Sequence, residues 1–206
     1  MAEMKLERIL GKIHHASFAT QYEAASTMIR FSEYYENPKL RGTAFTLDEV
    51  MDFWAQKNGK MEYFEYWEGF NVPSVVFEQF INGKMDPLRD KEKMLLDALK
   101  KIPCPFYLIA TREGIDPATM KHEIAHGLFY TNAEYYKKAM HIISEIDKAP
   151  IFEFLRDENY HKSVWFDETH AYLLDGGSDL RKAGIALKPY RNAQKQLQAL
   201  YREFTK

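Results

Sequence analysis

Apolar positions along the chain recur at spacings that change between the helical and the strand period, and the changes outline the elements. From 5 to 36 the pattern reads mostly as helix. Leu6, Leu10 and Ile13 fall on one stripe, Tyr22, Ala25, Met28 and Ile29 on another, and Asn37-Pro38 ends the segment. Phe45-Thr46-Leu47-Asp48-Glu49-Val50 opens a second helix, because Thr46 and Glu49 form a capping box and Phe45 can staple to Val50. Asn58-Gly59 closes it. Residues 61–70 are dense in aromatics with acids at uneven intervals, which predicts a strand with a turn or a loop laid over the core. Asn71-Val72-Pro73-Ser74 then caps a helix running to Asn82-Gly83, and 86–101 is an amphipathic helix with Leu88, Met94, Leu95, Ala98 and Leu99 inward.

The second half of the chain is punctuated more sharply. Phe106 to Thr111, bounded by Pro103, Pro105 and Gly114, is a short aromatic and β-branched run that predicts a strand. Asp116-Pro117 starts a helix to about Phe129, with Asp116 able to cap free N–H groups and Pro117 where no donor is missed. Thr131-Asn132-Ala133-Glu134 reads as a capping box opening a helix to about Ile146. Ser163 to Leu174 has helical spacing and a stop at Asp175-Gly176-Gly177, and 189–206 is amphipathic with Ala193, Leu197, Leu200 and Tyr201 inward. The expected fold class is α+β, a mainly helical body with a small sheet next to the helix at 117–129. At 206 residues it fits one domain, 1–206: a helical N-terminal part to 104, a core at 105–177 and a C-terminal helix at 178–206.

Charge removes several function classes. With 28 basic and 30 acidic side chains and a net charge of −2, nothing draws the chain to nucleic acid or to an anionic membrane. The aromatic run at 61–70 is no exception, since stacking platforms for single strands lie in basic grooves and this one carries only acids. No apolar run approaches membrane-spanning length. A lone cysteine, Cys104, excludes an internal disulfide and suits a reducing compartment, and the polar start Met1-Ala2-Glu3-Met4-Lys5 does not read as a signal peptide. The expected location is the cytoplasm.

The candidate chemistry is concentrated at His122-Glu123-Ile124-Ala125-His126. Two histidines four apart on a helix lie one turn above each other and can grip one metal ion, while Glu123 can lean over water at an open metal position. A chain of this composition carries such a motif by chance about 0.02 times, so its placement on a well-started helix decides its weight. His14-His15 is a poor chelate by comparison, because adjacent residues point apart.

These residues resemble the zincin superfamily of metallopeptidases. The metzincin extension is absent, with Phe129 and Asn132 at its glycine and third histidine. The gluzincin branch, whose third ligand is a glutamate on a later helix, fits better. Glu168 lies on an apolar face with Val164, Ala171 and Tyr172, and Asp167-Glu168-Thr169-His170-Ala171-Tyr172 is similar to the Asp-Glu-x-x-Ala-Tyr pattern of several gluzincins. His141, Glu145, Glu153, Glu158 and His161 are rivals without such a setting.

The resemblance covers about residues 105–177, and what it implies is specific. Zn2+ would be held by His122, His126 and Glu168, with Glu123 as general base and Tyr172 as oxyanion stabiliser ahead of Tyr160, His161 and His170. Asp167 or Asp116 would orient a ligand imidazole. The implied substrate is a peptide or protein, laid as an added strand along 106–111. The chain departs from thermolysin-like enzymes, which have an aspartate where Tyr172 stands. Two other readings are a non-enzymatic zincin-fold binding or scaffolding protein, against which the intact Glu123 speaks, and zinc-dependent hydrolysis of something other than a peptide.

Overall fold

In the computed structural model of the protein, which describes residues 4–206, the chain begins with a hairpin rather than a helix. Residues 1–3, the start of the polar N-terminal stretch, lie outside the described residues. Strand β1 (Lys5–Leu10) pairs antiparallel with β2 (Ile13–Phe18), Lys5 opposite Ser17 and Leu10 opposite Ile13. Leu6 and Leu10 are four apart and therefore satisfy both the helical and the strand period. What decides is Gly11, whose φ of +53° makes the tight turn that brings Ile13 back beside Leu10. The expectation of helix over 5–36 holds only for α1 (Gln21–Glu36), which starts at a reciprocal capping box of Thr20 and Glu23.

The chain forms two compact units, Met1–Ile115 and Asp116–Lys206. In the first, α2 (Leu47–Asn58) opens on the expected capping box of Thr46 and Glu49 and stops at Gly59, φ +73°. The aromatic run becomes a short helix, α3 (Tyr63–Tyr66), followed by β3 (Gly69–Pro73). Tyr63 and Phe70 are buried and Phe64 and Trp67 pack on the core, so these aromatics are core material. Helices α4 (Ser74–Ile81) and α5 (Asp90–Leu99) lead into β4 (Tyr107–Arg112). The strand order is β1-β2-β4-β3, with β4 parallel to β2 and antiparallel to β3. That order corrects the expectation of strand addition along 106–111: both hydrogen-bonding sides of β4 are already occupied, and the sheet edges are β1 and β3. The core of this unit holds Phe31 against Phe77 and Phe80, and a buried ion pair of Arg30 with Glu92 at 3.1 Å.

The second unit is helical: α6 (Pro117–Thr131), α7 (Ala133–Ser144), α8 (Ala149–Asp157), α9 (Trp165–Asp175), α10 (Ser178–Lys182) and α11 (Arg191–Phe204), with a 3-10 turn at Lys188–Tyr190. Asp116 starts α6 as expected, its carboxylate accepting from Ala118 N at 2.9 Å. The next cap is one residue later than the sequence suggests. Asn132, not Thr131, accepts from Glu134 N and Tyr135 N, while the Thr131 hydroxyl donates back to Gly127 O at 2.7 Å. Glu134 is therefore no capping-box partner and pairs instead with Lys138 at 3.0 Å. Helix α9 ends at Gly176, φ +109°, and α11 buries Ala193, Leu197 and Leu200. The fold class is α+β, as the pattern predicts. Strand β4 and helix α6, which the sequence reading joined in one core at 105–177, belong to different units. No helix of the described residues is long and apolar enough to cross a membrane.

Candidate metal centre

Helix α6 carries His122 and His126 one turn apart, with their rings 4.8 Å between centroids, and α9 faces them with Glu168. His122 Nε2 lies 4.0 Å from Glu168 Oε2, and His126 Nε2 lies 3.8 Å from Glu168 Oε1. One ligand atom from each residue falls within 4.8 Å of the others, and among the described residues this is the group of three that could hold a metal ion. A tetrahedral ion with bonds of about 2.1 Å needs its ligand atoms about 3.4 Å apart, so side chains whose ligand atoms now spread over 4.8 Å must close by up to about 1.4 Å.

The other face of each imidazole is occupied by its own carboxylate. His122 Nδ1 donates to Asp175 Oδ2 at 2.8 Å. His126 Nδ1 lies 2.9 Å from Asp167 Oδ1, an ion-pair contact rather than an aligned hydrogen bond. In the neutral ring both arrangements place the hydrogen on Nδ1 and direct the Nε2 lone pair at Glu168, which is the tautomer a metal requires. Asp167 was one of two aspartates expected to orient a ligand, and the other, Asp116, is used in the α6 cap. Asp175 was missed. In the sequence it reads only as the acid before the glycine stop of α9, although its position seven residues after Glu168, two turns on, puts it on the same helix face.

The electrostatics fit a cation. Burial, the largest influence on both histidines, opposes their protonation, yet the carboxylates overcome it: Asp175 lifts His122, and Asp167 with Glu168 lifts His126 well above the ordinary histidine value. Asp167 goes the other way. Burial would raise it, but the facing imidazoles of His126 and His170 hold it below the usual aspartate range. Glu168 is pushed up to about 7, chiefly by burial, because the two histidines relieve only part of that penalty and Asp167 and Glu123 add to it. Glu168, at 3% exposure, and His126, at 1%, hold Oε2 and Nε2 without a hydrogen-bond partner. Buried polar atoms converging without partners are costly, and a divalent cation that displaced the protons would satisfy them together. Two imidazole nitrogens and one carboxylate form a donor set suited to zinc.

The remaining predicted residues fall at different distances from this group. Glu123 is buried on α6 and bears electrostatically on both histidines and on Glu168. Tyr172 packs edge-on against His122 at 5.1 Å, and burial followed by the Glu168 charge keeps its phenol protonated, with Tyr160 hydrogen-bonded to it. His161 is tied to Ser163 within its own turn, at 2.9 Å. His170 is fully buried and bonds Tyr135. Of the rival ligands, His141, Glu145 and Glu153 are exposed, and neither Glu158 nor His161 joins the cluster. His14 and His15 lie on β2, where His15 Nε2 meets Thr111 Oγ1 at 2.9 Å. Searches of family models, curated proteins and solved structures return no match to this chain.

Proposed function

We propose that the protein is a zinc-dependent hydrolase of the gluzincin type that cleaves peptide bonds. One observation carries the reading: two imidazole Nε2 atoms converge on both oxygens of a buried glutamate, and each imidazole is backed by its own aspartate. His122, His126 and Glu168 would hold the ion. Zinc bound there supplies Lewis acidity, polarising a substrate carbonyl and lowering the pKa of water toward neutrality.

The protein's own side chains do the rest. Asp175 and Asp167 hold the ligand rings in orientation and keep their protons on Nδ1. Glu123 takes the proton of the attacking water and delivers it to the leaving nitrogen, a role that a purely structural zinc site does not need. Tyr172, protonated and beside His122, is the proposed donor to the developing oxyanion. Exclusion of bulk water from the buried face of the site strengthens each of these interactions. With β4 internal to its sheet, the substrate must be held by other contacts than strand addition there. The exposed Cys104, the single cysteine of the chain, suits a reducing compartment, and the cytoplasm is the proposed location.

The test is zinc content and peptide turnover measured side by side. Glu168→Ala is expected to lose most of its zinc, whereas Glu123→Gln keeps it and loses about 10²–10⁴-fold in turnover. Zinc at wild-type stoichiometry in Glu168→Ala would defeat the ligand set, and undiminished turnover in Glu123→Gln would defeat the mechanism. Zinc retained by the wild type with no cleavage of any peptide library would favour a binding role instead.

A further inference from the structure

Behind the ligands, a line of buried polar groups runs across the helical unit in a place where apolar side chains would be cheaper. The Tyr135 hydroxyl on α7 lies 2.8 Å from His170 Nε2 on α9. His170 Nδ1 in turn lies 3.8 Å from Asp167 Oδ1, the same oxygen that stands 2.9 Å from His126 Nδ1. Tyr135 and His170 are both fully buried. The His170 ring cannot easily turn: Phe129 stacks on it at 5.1 Å and 23°, and Tyr135 meets it edge-on at 5.4 Å. Tyr135 is itself held by the edge of Phe204 from α11.

These contacts assign the hydrogens. The Asp167 carboxylate can only accept, so the single hydrogen of a neutral His170 belongs on Nδ1, directed at Asp167, and Nε2 then accepts from the Tyr135 phenol. His170 Nδ1, Asp167 Oδ1 and His126 Nδ1 have no hydrogen-bond partner elsewhere and face one another. At 3.8 Å the His170 contact is electrostatic rather than a hydrogen bond, but it presents a positive N–H to the carboxylate. Without the Tyr135 hydroxyl, the hydrogen of His170 is free to move to Nε2. A lone pair would then face Asp167 Oδ1 and push the carboxylate from His126.

We propose that Tyr135 and His170 are positioning residues for the metal centre, holding Asp167 against His126 and thereby setting how tightly the site binds zinc. This rests on the zinc reading above. The measurement is zinc affinity by competition with a chromogenic chelator at one fixed pH, for the wild type, Tyr135→Phe, His170→Phe and His170→Asn, alongside Glu168→Ala. Metal-free thermal unfolding of each and the visible spectrum of its cobalt form accompany it. Orienting partners of this kind change affinity by about 10–100-fold, and His170→Phe is expected within that range. Tyr135→Phe, which removes one oxygen, should lose less, roughly 3–10-fold, as a partner one step more remote. His170→Asn, which returns an N–H near the Nδ1 position, should recover most of the loss, and the cobalt bands should shift in Tyr135→Phe and His170→Phe only.

If Tyr135→Phe keeps wild-type stability, binds zinc within twofold of wild type and gives the same cobalt spectrum, the inference is overturned and the pair is packing alone. Should His170→Phe fail to fold, Tyr135→Phe decides by itself. A wild type that does not bind zinc, or a Glu168→Ala that still does, overturns the zinc reading and this inference with it. Loss of zinc in Glu168→Ala with unchanged affinity in the Tyr135 and His170 variants overturns this inference only.

Discussion

At the residue scale the metal centre is a contest between protons and a cation. His122 and His126 are held above their ordinary value by the adjacent aspartates, and Glu168 is pushed up to about 7 by burial. Zinc must displace those protons, so its affinity should fall about tenfold or more for each pH unit below 7, which chelator competition between pH 6 and 8 would measure. Asp175→Ala removes the acceptor that fixes His122 and should weaken zinc about 10–100-fold without unfolding the chain. The histidine pair was legible because a spacing of four places both rings on one face of α6, and Glu168 because it is a lone acid on the apolar face of a second helix. Asp175 was not, because an acid before a glycine stop serves as well for ending a helix.

A second buried carboxyl shows the same physics without a metal. Glu33 on α1 is pushed up to about 7 by burial, with partial relief from the Asn37 amide, which donates to it at 2.6 Å. Its folded value exceeds the unfolded 4.5, so the folded state holds the proton. Stability is full below about 4.5 and declines as pH rises toward 7, by about 3 kcal/mol in all. Glu33→Gln should flatten that dependence in urea unfolding between pH 5 and 8. An unchanged slope would show that Glu33 is not its source.

At the scale of elements, the site exists because α6 and α9 approach closely. Ala125 and Ala171 are fully buried, each one turn along its helix from a candidate ligand, His122 and Glu168, where a larger side chain would crowd the site. Ala171→Leu should destabilise the helical unit by about 1–3 kcal/mol and lower zinc affinity together, since overpacking spreads the ligand helices. Thermal unfolding and chelator competition on the same sample check it, and a destabilised protein with unaltered affinity would separate the packing from the site. The helices themselves were readable from caps and apolar spacing, Asp116-Pro117 before α6 and Asp175-Gly176 after α9. The hairpin was not, because Leu6 and Leu10 suit either period and only the turn at Gly11 breaks the tie. For the same reason of ambiguity Asn132 and Thr131, adjacent cap formers, exchanged roles.

At the scale of the whole molecule, the chain divides at residue 115, with the sheet on one side and all three candidate ligands on the other. Strand order is set by contacts far apart in sequence, β2 against β4 across nearly a hundred residues, and no local pattern encodes it. Zinc should therefore stabilise the helical unit selectively. At a hundredfold excess over its dissociation constant it adds about 2.7 kcal/mol, and chelation should lower the transition reported by Trp165 while sparing that reported by Trp54 and Trp67.

The most direct test of the zinc reading is a crystal structure of the zinc-loaded protein with an anomalous difference map at the zinc edge. The prediction is a single strong peak bonded to His122 Nε2, His126 Nε2 and a Glu168 oxygen at about 2.0–2.2 Å. A stoichiometric zinc bound elsewhere, or none with Glu168 turned away from both imidazoles, would contradict it.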